Sequence, residues 1–159
     1  ESRGIDPALA GFFTGSYWAT FTIGRVVAGL YAKRIGVHLL VQGSIATAFL
    51  GAVLLVWNPS DTANLLAVAL IGFAIAPIFP ALMSGTSQRV GINFAANTIG
   101  MQMAASGLGT VLITSLLGVL ARRFSLEIIP VCLVFLFASL FGLFRMSMNT
   151  GTMVQENIA

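Results

Sequence analysis

Five long apolar stretches, separated by short breaks, make up most of the chain between Ala8 and Met146. Nearly every charged residue lies in or near one of the breaks. A helix needs about 20 apolar residues to cross the hydrocarbon layer of a bilayer. The pattern therefore predicts an all-α fold, a polytopic transmembrane helix bundle with five spans, whose function is carried out across or within a membrane.

The composition also indicates a protein that is surrounded by lipid. Of the 159 residues, 57% are hydrophobic and only 8% are charged, whereas a soluble globular domain carries roughly 25% charged residues. The net charge of +3 comes from basic residues scattered at the ends of the apolar stretches, where they fit lipid headgroups and predict no nucleic-acid partner. The single cysteine, Cys132, is interpreted as a small packing residue, and no cofactor or metal is predicted.

The predicted spans are residues 8–32, 39–57, 63–83, 94–120 and 128–144. Because the breaks are short, neighbouring spans are expected to be antiparallel. The basic residues that then lie on one side are Lys33, Arg34, Arg89 and Arg145, and those on the other are Arg3, Arg122 and Arg123. Because the cytoplasmic side usually carries more basic residues, four against three favours an external N-terminus. With that orientation, residues 147–159 are predicted to be a cytoplasmic tail, irregular from Asn149 onward. The protein is predicted to be a multi-pass protein of the cell (plasma or inner) membrane.

Arg25 is the most unusual residue within a predicted span, about two helical turns before the break at Lys33. A charge inside a span is costly and by default indicates a functional site, here a gate or a contact with the inner loops. The equal alternative is that the side chain extends to the cytoplasmic interface. No aspartate or glutamate lies inside a predicted span, so a proton-coupling carboxylate would have to belong to another part of the protein.

Uncharged polar and aromatic residues near the middle of the membrane are the better candidates for a ligand site. Tyr17 and Trp18 lie in the first span and Gln102 lies in the fourth. Amide and hydroxyl groups beside aromatic faces suit a neutral polyol through hydrogen bonds and ring stacking. The alternative for each residue is a hydrogen bond between helices.

Two prolines, Pro77 and Pro80, interrupt the third span. Each removes a hydrogen bond from the helical ladder, and such interruptions at membrane depth point to binding sites and gates in transporters. A static kink is the equal alternative. Glycines inside the spans predict close helix packing, either static or as a sliding contact between the first and fourth spans; those singled out are Gly11, Gly15, Gly100, Gly107 and Gly109.

Three segments carry a resemblance to a known family. Residues 22–25, followed by residues 29–36, resemble the eighth helix of a major facilitator superfamily (MFS) transporter and the loop to its ninth helix. That loop holds the second copy of the family motif G-x-x-x-D-R-x-G-R-R. The matching positions are Gly29, Arg34 and Gly36. Lys33 stands where the motif has an aspartate, so the residue on which the motif's helix-capping and charge-relay role depends is absent from this copy.

The other two segments are residues 72–80, similar to the tenth helix with its frequent G…P-x-x-P pattern, and residues 100–118, similar to the eleventh. The five spans then correspond to helices eight to twelve of a partial MFS C-terminal domain. Helices one to seven, and with them the N-terminal half, are expected to precede Glu1 as a missing partner. The sequence around residues 17–25 is also similar to fucose-permease-like sugar transporters.

The resemblance implies two six-helix halves, a substrate site between them at the midplane, and alternating access by rocking of one half. Substrate-binding candidates near that cavity are Tyr17, Trp18, Phe79 and Gln102. Gating or motif candidates are Arg25, Gly29, Arg34, Gly36, Pro77 and Pro80. The second and fifth spans are expected to face lipid. The implied partners are a small-molecule substrate, the bilayer and the missing helices.

Other functions are weighed beside transport. Ser106 between Ala105 and Gly107 is similar to a nucleophile elbow, but the only histidine, His38, is placed at the membrane edge, so no enzyme is predicted. A truncated, non-transporting membrane protein or scaffold and an MFS exporter of drugs or amphiphiles remain as alternatives.

Overall fold

The structure is a computed structural model that describes residues 7–57 and 60–156. These residues form six α-helices and no strand, which confirms the all-α prediction. The helices are α1 (Pro7–Ile35), α2 (Val37–Trp57), α3 (Asp61–Ile75), α4 (Ile78–Val90), α5 (Ile92–Arg123) and α6 (Ile128–Glu156).

Four helical segments of the described chain are long and apolar enough to cross a membrane, as expected of a multi-pass membrane protein. They are Val37–Trp57, Asp61–Thr86, Ile92–Arg123 and Ile128–Ser147, and they correspond to the second to fifth predicted spans. The third segment combines α3 with most of α4. The first predicted span coincides with α1, which has 29 residues and is about 43 Å long. Polar side chains such as Ser16, Thr20 and Arg25 keep α1 outside this apolar group, so its crossing of the membrane stays a prediction.

Local sequence explains where several helices begin and end. Gly36 separates α1 from α2 and Gly91 separates α4 from α5, with φ angles of 79° and 77° that disfavour any residue with a side chain. The Ser60 side chain caps α3 by accepting a hydrogen bond from the Ala63 backbone N–H at 3.2 Å. Asp61, in the first turn, adds a negative charge at the positive end of the helix.

The closest helix packing joins α1, α2 and α3, with α3 between the other two. A Cβ placed on Gly24 of α1 would lie 2.5 Å from the carbonyl oxygen of Phe73. On α3, a Cβ at Gly72 would lie 2.7 Å from the carbonyl oxygen of Tyr17, and one at Gly51 of α2 would lie 2.8 Å from the Ile71 side chain. Glycine at these three positions lets the backbones approach, which is how helices gain packing contacts in lipid.

Other glycines do not have the role that the sequence suggests. Nothing lies within 4 Å of a Cβ built on any of Gly11, Gly15, Gly100, Gly107 and Gly109. α1 packs on α2 and α3, whereas α5 packs mainly on α4 with a smaller contact to α6. The described chain therefore has no tight packing at these five glycines. The alternative of a sliding contact between the first and fourth spans has no support, because α1 and α5 have their main contacts with other helices.

α2 is enclosed along one side, which differs from the expectation that the second span faces lipid. Its buried residues, Val41, Ser44, Ile45, Ala48, Gly51 and Ala52, lie on one side, because α2 contacts α3, α4 and α6. Val41 and Ile45 form a small core with Ala81 of α4 and with Phe141 and Phe144 of α6. The remaining side of α2 carries exposed apolar residues such as Leu39 and Leu50, as a helix at a lipid boundary would.

The last helix is longer than the sequence predicts. α6 continues to Glu156, so the tail expected to be irregular from Asn149 is helical over most of its length. Only Ile128–Ser147 is apolar enough to cross a membrane. The polar continuation extends the same helix beyond that segment.

We expect Gly24→Ala to lower the stability of the helix bundle by about 1–3 kcal/mol, the usual cost of overpacking a tight contact. The added methyl group would clash with the Phe73 carbonyl, which is backbone and cannot rotate away. Reversible unfolding in mixed detergent micelles, followed by circular dichroism, measures the change. The matched control is Gly11→Ala in the same helix, where the methyl group meets open space. Equal stability of the two variants would contradict the assigned α1–α3 contact.

Candidate functional site

Two open cavities flank the first turns of α4. The larger, here called the Arg25 cavity, has a volume of 630 Å³ and lies between α1, the start of α2 and α4; Arg25, Gly29, Pro77, Phe79 and Pro80 are in its wall. The smaller, called the Gln102 cavity, has a volume of 420 Å³ and is bounded by α2, α4, α5 and α6. Six of the ten candidate residues from the sequence line one or both of these cavities.

Phe79 lines both cavities, as do Val37 and Met83. The Phe79 ring is 41% exposed, so a large aromatic face is open to whatever occupies either space. These three side chains form the wall between the cavities. A displacement of α4 at this wall would therefore change the shape of both.

The proline pair explains why α4 begins at this depth. Pro77, with φ −82° and ψ −15°, precedes the first residue of α4, and its carbonyl accepts the first hydrogen bond of that helix, from the Ala81 N–H at 3.0 Å. Pro80 lies in the first turn of α4, where a backbone N–H would have no acceptor within the helix. Neither proline therefore removes a hydrogen bond from α4. The hydrogen bonds that are lost are those that the carbonyls at the end of α3 would have accepted.

The Phe73 carbonyl, near the end of α3, cannot accept the usual helical hydrogen bond from the residue four positions later, because Pro77 has no N–H. This is the oxygen against which Gly24 packs. The close approach of α1 therefore covers a backbone acceptor that the break exposes. The same approach brings the next residue, Arg25, to the Pro77 side of the cavity.

A column of rings and charge runs along one face of α1. Tyr17 and Phe21 stack with centroids 6.0 Å apart, and Trp18 makes edge contacts to both rings. The Arg25 guanidinium carbon lies 4.9 Å from the centre of the Phe21 ring, one turn further on. Tyr17 is half-buried against Gly72, Trp18 is 59% exposed, and neither lines the two cavities. The structure thus separates these two candidates from Phe79 and Gln102.

Gln102 makes the side-chain hydrogen bond that links α5 to α4. Its Nε2 donates to Thr86 Oγ1 at 2.8 Å, and the Thr86 hydroxyl can donate to the Leu82 carbonyl at 2.9 Å or to Gln102 Oε1 at 3.0 Å. Thr86 is buried, with 7% exposure. The interhelical alternative considered for Gln102 is therefore present in the structure, and the pair also forms a polar part of the cavity wall.

The sequence does not suggest Thr86 or the other polar groups of the Gln102 cavity as one site. His38, at the start of α2, Ser106, one turn after Gln102, and Ser147, near the end of the apolar part of α6, also line it. The ring of His38 lies 6.4 Å from that of Phe144. His38 and Ser106 thus line one cavity although the sequence separates them.

The remaining motif residues lie toward the end of α1. Gly29 lines the Arg25 cavity and has open space where a Cβ would be. Arg34 is exposed in the last turn, and Gly36 has the positive φ that the break requires. Among the described residues, no group of three or more His, Cys, Asp or Glu side chains is placed to hold a metal ion.

Comparisons of the chain with protein-family models, with curated proteins and with solved structures found no match. Functional inference therefore depends on the motifs of the sequence and on the geometry of the two cavities.

The Thr86–Gln102 pair is expected to show measurable coupling. In a double-mutant cycle of Thr86→Val and Gln102→Leu, we expect a coupling energy of about 0.6 kcal/mol in the free energy of unfolding, with an upper range of about 1.7 kcal/mol, as for other hydrogen bonds between membrane helices. The control pairs Gln102→Leu with Thr110→Val, since the Thr110 hydroxyl bonds only to the Ser106 carbonyl of its own helix. Additive effects of Thr86→Val and Gln102→Leu would contradict the interhelical bond.

Proposed function

We propose that this chain is part of a secondary transporter of the MFS type, which moves a small polar organic solute, with sugars as the leading class, by alternating access. The observation that carries the proposal is the break at Pro77 with an open cavity on each side. Interrupted membrane helices whose irregular part lines a cavity are typical of solute sites in transporters.

The exposed state of α5 supports a larger assembly. None of the residues of α5 is buried, although it is a 32-residue helix of high hydropathy. It carries large exposed side chains along its length, including Met101, Leu108, Val111 and Leu116. In the proposed transporter, helices outside this sequence pack on α5 and close the cavities on their open sides. These helices include the N-terminal half.

Within that assembly, the Gln102 cavity supplies groups suited to a polyol. The amide of Gln102 and the hydroxyls of Thr86 and Ser106 offer donors and acceptors, and Phe79 offers a ring face. Tyr17 and Trp18 would act as ring contacts from the α1 face. We place the N-terminus outside and the C-terminus in the cytoplasm of a cell membrane, as the distribution of basic residues favours.

Two other functions have a specific observation in their favour. The bare apolar surface of α5 suits a non-transporting scaffold that packs against partner helices. The mainly apolar lining of the Arg25 cavity suits an exporter of amphiphilic molecules. An intramembrane hydrolase is the alternative with the least support, because nucleophilic catalysis requires a base hydrogen-bonded to the nucleophile. Labelling of Ser106 by a serine-reactive probe would favour this alternative.

Flux measurements in vesicles test transport. We expect the 159-residue chain alone to show no saturable uptake, because its cavities are open at the side and cannot be alternately sealed. The same chain joined to the reading frame upstream of Glu1 is expected to show saturable counterflow of at least one member of a panel of labelled sugars, sugar derivatives and organic acids. Gln102→Leu in that longer protein is expected to raise KM for a polyol.

Two outcomes would count against this function. Saturable flux from the isolated chain would contradict the requirement for additional helices. Absence of saturable flux for every panel member from the longer protein, when that protein is folded and inserted, would favour the scaffold instead.

A further inference from the structure

We propose that the Arg25 cavity binds a small organic acid, with the Arg25 guanidinium on its carboxylate and the Phe79, Pro77 and Pro80 rings against its apolar part. The proposal goes beyond the proposed function, since it concerns the Arg25 cavity and an acid where that function assigns a polyol to the Gln102 cavity. It rests on that function only for the statement that the acid is transported. Binding itself can be measured without flux.

The first observation is the depth of Arg25. It precedes Arg34, at the end of α1, by nine residues, or about 14 Å along the helix axis. Its immediate neighbour Gly24 packs on Phe73, within the membrane-crossing segment Asp61–Thr86. The guanidinium is therefore attached well inside the apolar layer, where an arginine is costly and marks a functional site by default.

The second observation is that no described acidic side chain lies near Arg25. In the described parts of the chain, Arg25 contacts the ring of Phe21 and forms no ion pair or side-chain hydrogen bond. Asp61 begins α3, 16 residues before Pro77 and thus about 24 Å from it along the axis. Glu127 precedes α6, on the same side of the bundle as Asp61, since successive spans alternate in direction and α3 and α4 belong to one span. Since no described side chain neutralises the positive charge, we assign that part to the ligand.

The third observation is the chemistry of the cavity wall. Apart from Arg25, only Ser84 brings a polar side chain, and the rest is aliphatic, aromatic, proline or glycine. α1 and α3 run in the same direction, because Tyr17 meets Gly72 and Gly24 meets Phe73 and Ala76, and α4 continues the span that α3 begins. Arg25 and Pro77 therefore lie at the deep end, and Ala32 and Ser84 lie toward the Arg34 end. A single fork of donors in a mainly apolar cavity selects a monoanion with an apolar body.

Sodium benzoate and benzamide are the probes, since they share a ring and differ in charge. The full chain is placed in phosphatidylcholine nanodiscs with ¹⁵N-labelled arginine side chains, and Arg25→Gln identifies the Arg25 Nε signal by its loss. We expect benzoate to shift that signal saturably and to raise the thermal unfolding midpoint, as a ligand of the folded state does. Benzamide at the same concentration is expected to do neither.

Variants separate the charge from the fold. Arg25→Gln is expected to raise the apparent Kd for benzoate at least about tenfold. Arg25→Lys keeps the charge but loses the paired N–H donors of the guanidinium, so its apparent Kd is expected to lie between those of Arg25→Gln and the original protein. The matched control is Arg145→Gln. Arg145 also lies over a phenylalanine four residues earlier, with its guanidinium carbon 5.7 Å from the Phe141 ring centre, but it is outside the cavity.

Three results would overturn the proposal. Equal effects of benzoate and benzamide would show an apolar cavity without charge recognition. Loss of the benzoate effect in Arg145→Gln would assign the anion to another site. A shift of the Arg25 signal by phosphatidylglycerol, with no further effect of benzoate, would make the anion a lipid headgroup. If benzoate binds as expected but the longer protein transports nothing, the site stands and the transport function fails.

Discussion

The contact between Gly24 and the Phe73 carbonyl is the constraint on which the arrangement of both cavities depends. Pro77 has no N–H to donate to this carbonyl, so the helix is interrupted at that level. Because Gly24 has no side chain, α1 can approach the carbonyl oxygen closely. The same contact fixes α1 against the broken span at the level of Pro77, and hence places Arg25 beside the first turn of α4.

In this part of the molecule, one face of a helix packs closely on its neighbour while another face of the same helix lines a cavity or contacts a different helix. α1 presents Gly24 to α3 and, one residue later, Arg25 to the cavity. α3 presents Gly72 to α1, while Ala67 and Ile71 meet α2 near Gly51. The tightly packed faces leave little freedom between α1, α2 and α3. α4, which begins after the break, contacts α2 and α5 and carries the wall residue Phe79.

The sequence predicts the helices well and their partners poorly. Hydropathy reflects the solvent around a helix, so the spans corresponding to α2, α5 and the apolar part of α6 could be located, and the proline pair marked the break at residues 76–77. Hydropathy does not measure helix propensity in water, which is why the helical continuation of α6 to Glu156 was missed. A glycine in a span shows that a close contact is possible, but only the neighbouring helix decides whether it exists. Gly24 and Gly72 have such neighbours, and Gly11 and Gly107 do not.

The candidate site was predictable to the same degree. Arg25, Pro77 and Pro80 could be singled out because each violates a local rule of membrane helices, and the structure brings all three to one cavity. Thr86 could not, since a threonine in a helix usually satisfies its hydroxyl on its own backbone, as Thr22 and Thr110 do here. Its partner Gln102 lies 16 residues away, beyond the turn at Gly91, a pairing that depends on how α4 and α5 fold back on each other.

The two cavities are mechanically linked through α4. Its first turn follows the Pro77 break, its middle holds the Phe79 wall, and its later turn is tied to α5 by the Thr86–Gln102 hydrogen bond. α5 has few contacts apart from α4, so a rigid displacement of α5 would be transmitted to α4 through that bond. Rotation of α4 about the break would then move Phe79 relative to Arg25, since Arg25 is attached to the closely packed helix α1. Phe79 lines both cavities, so this rotation would change the shape of both.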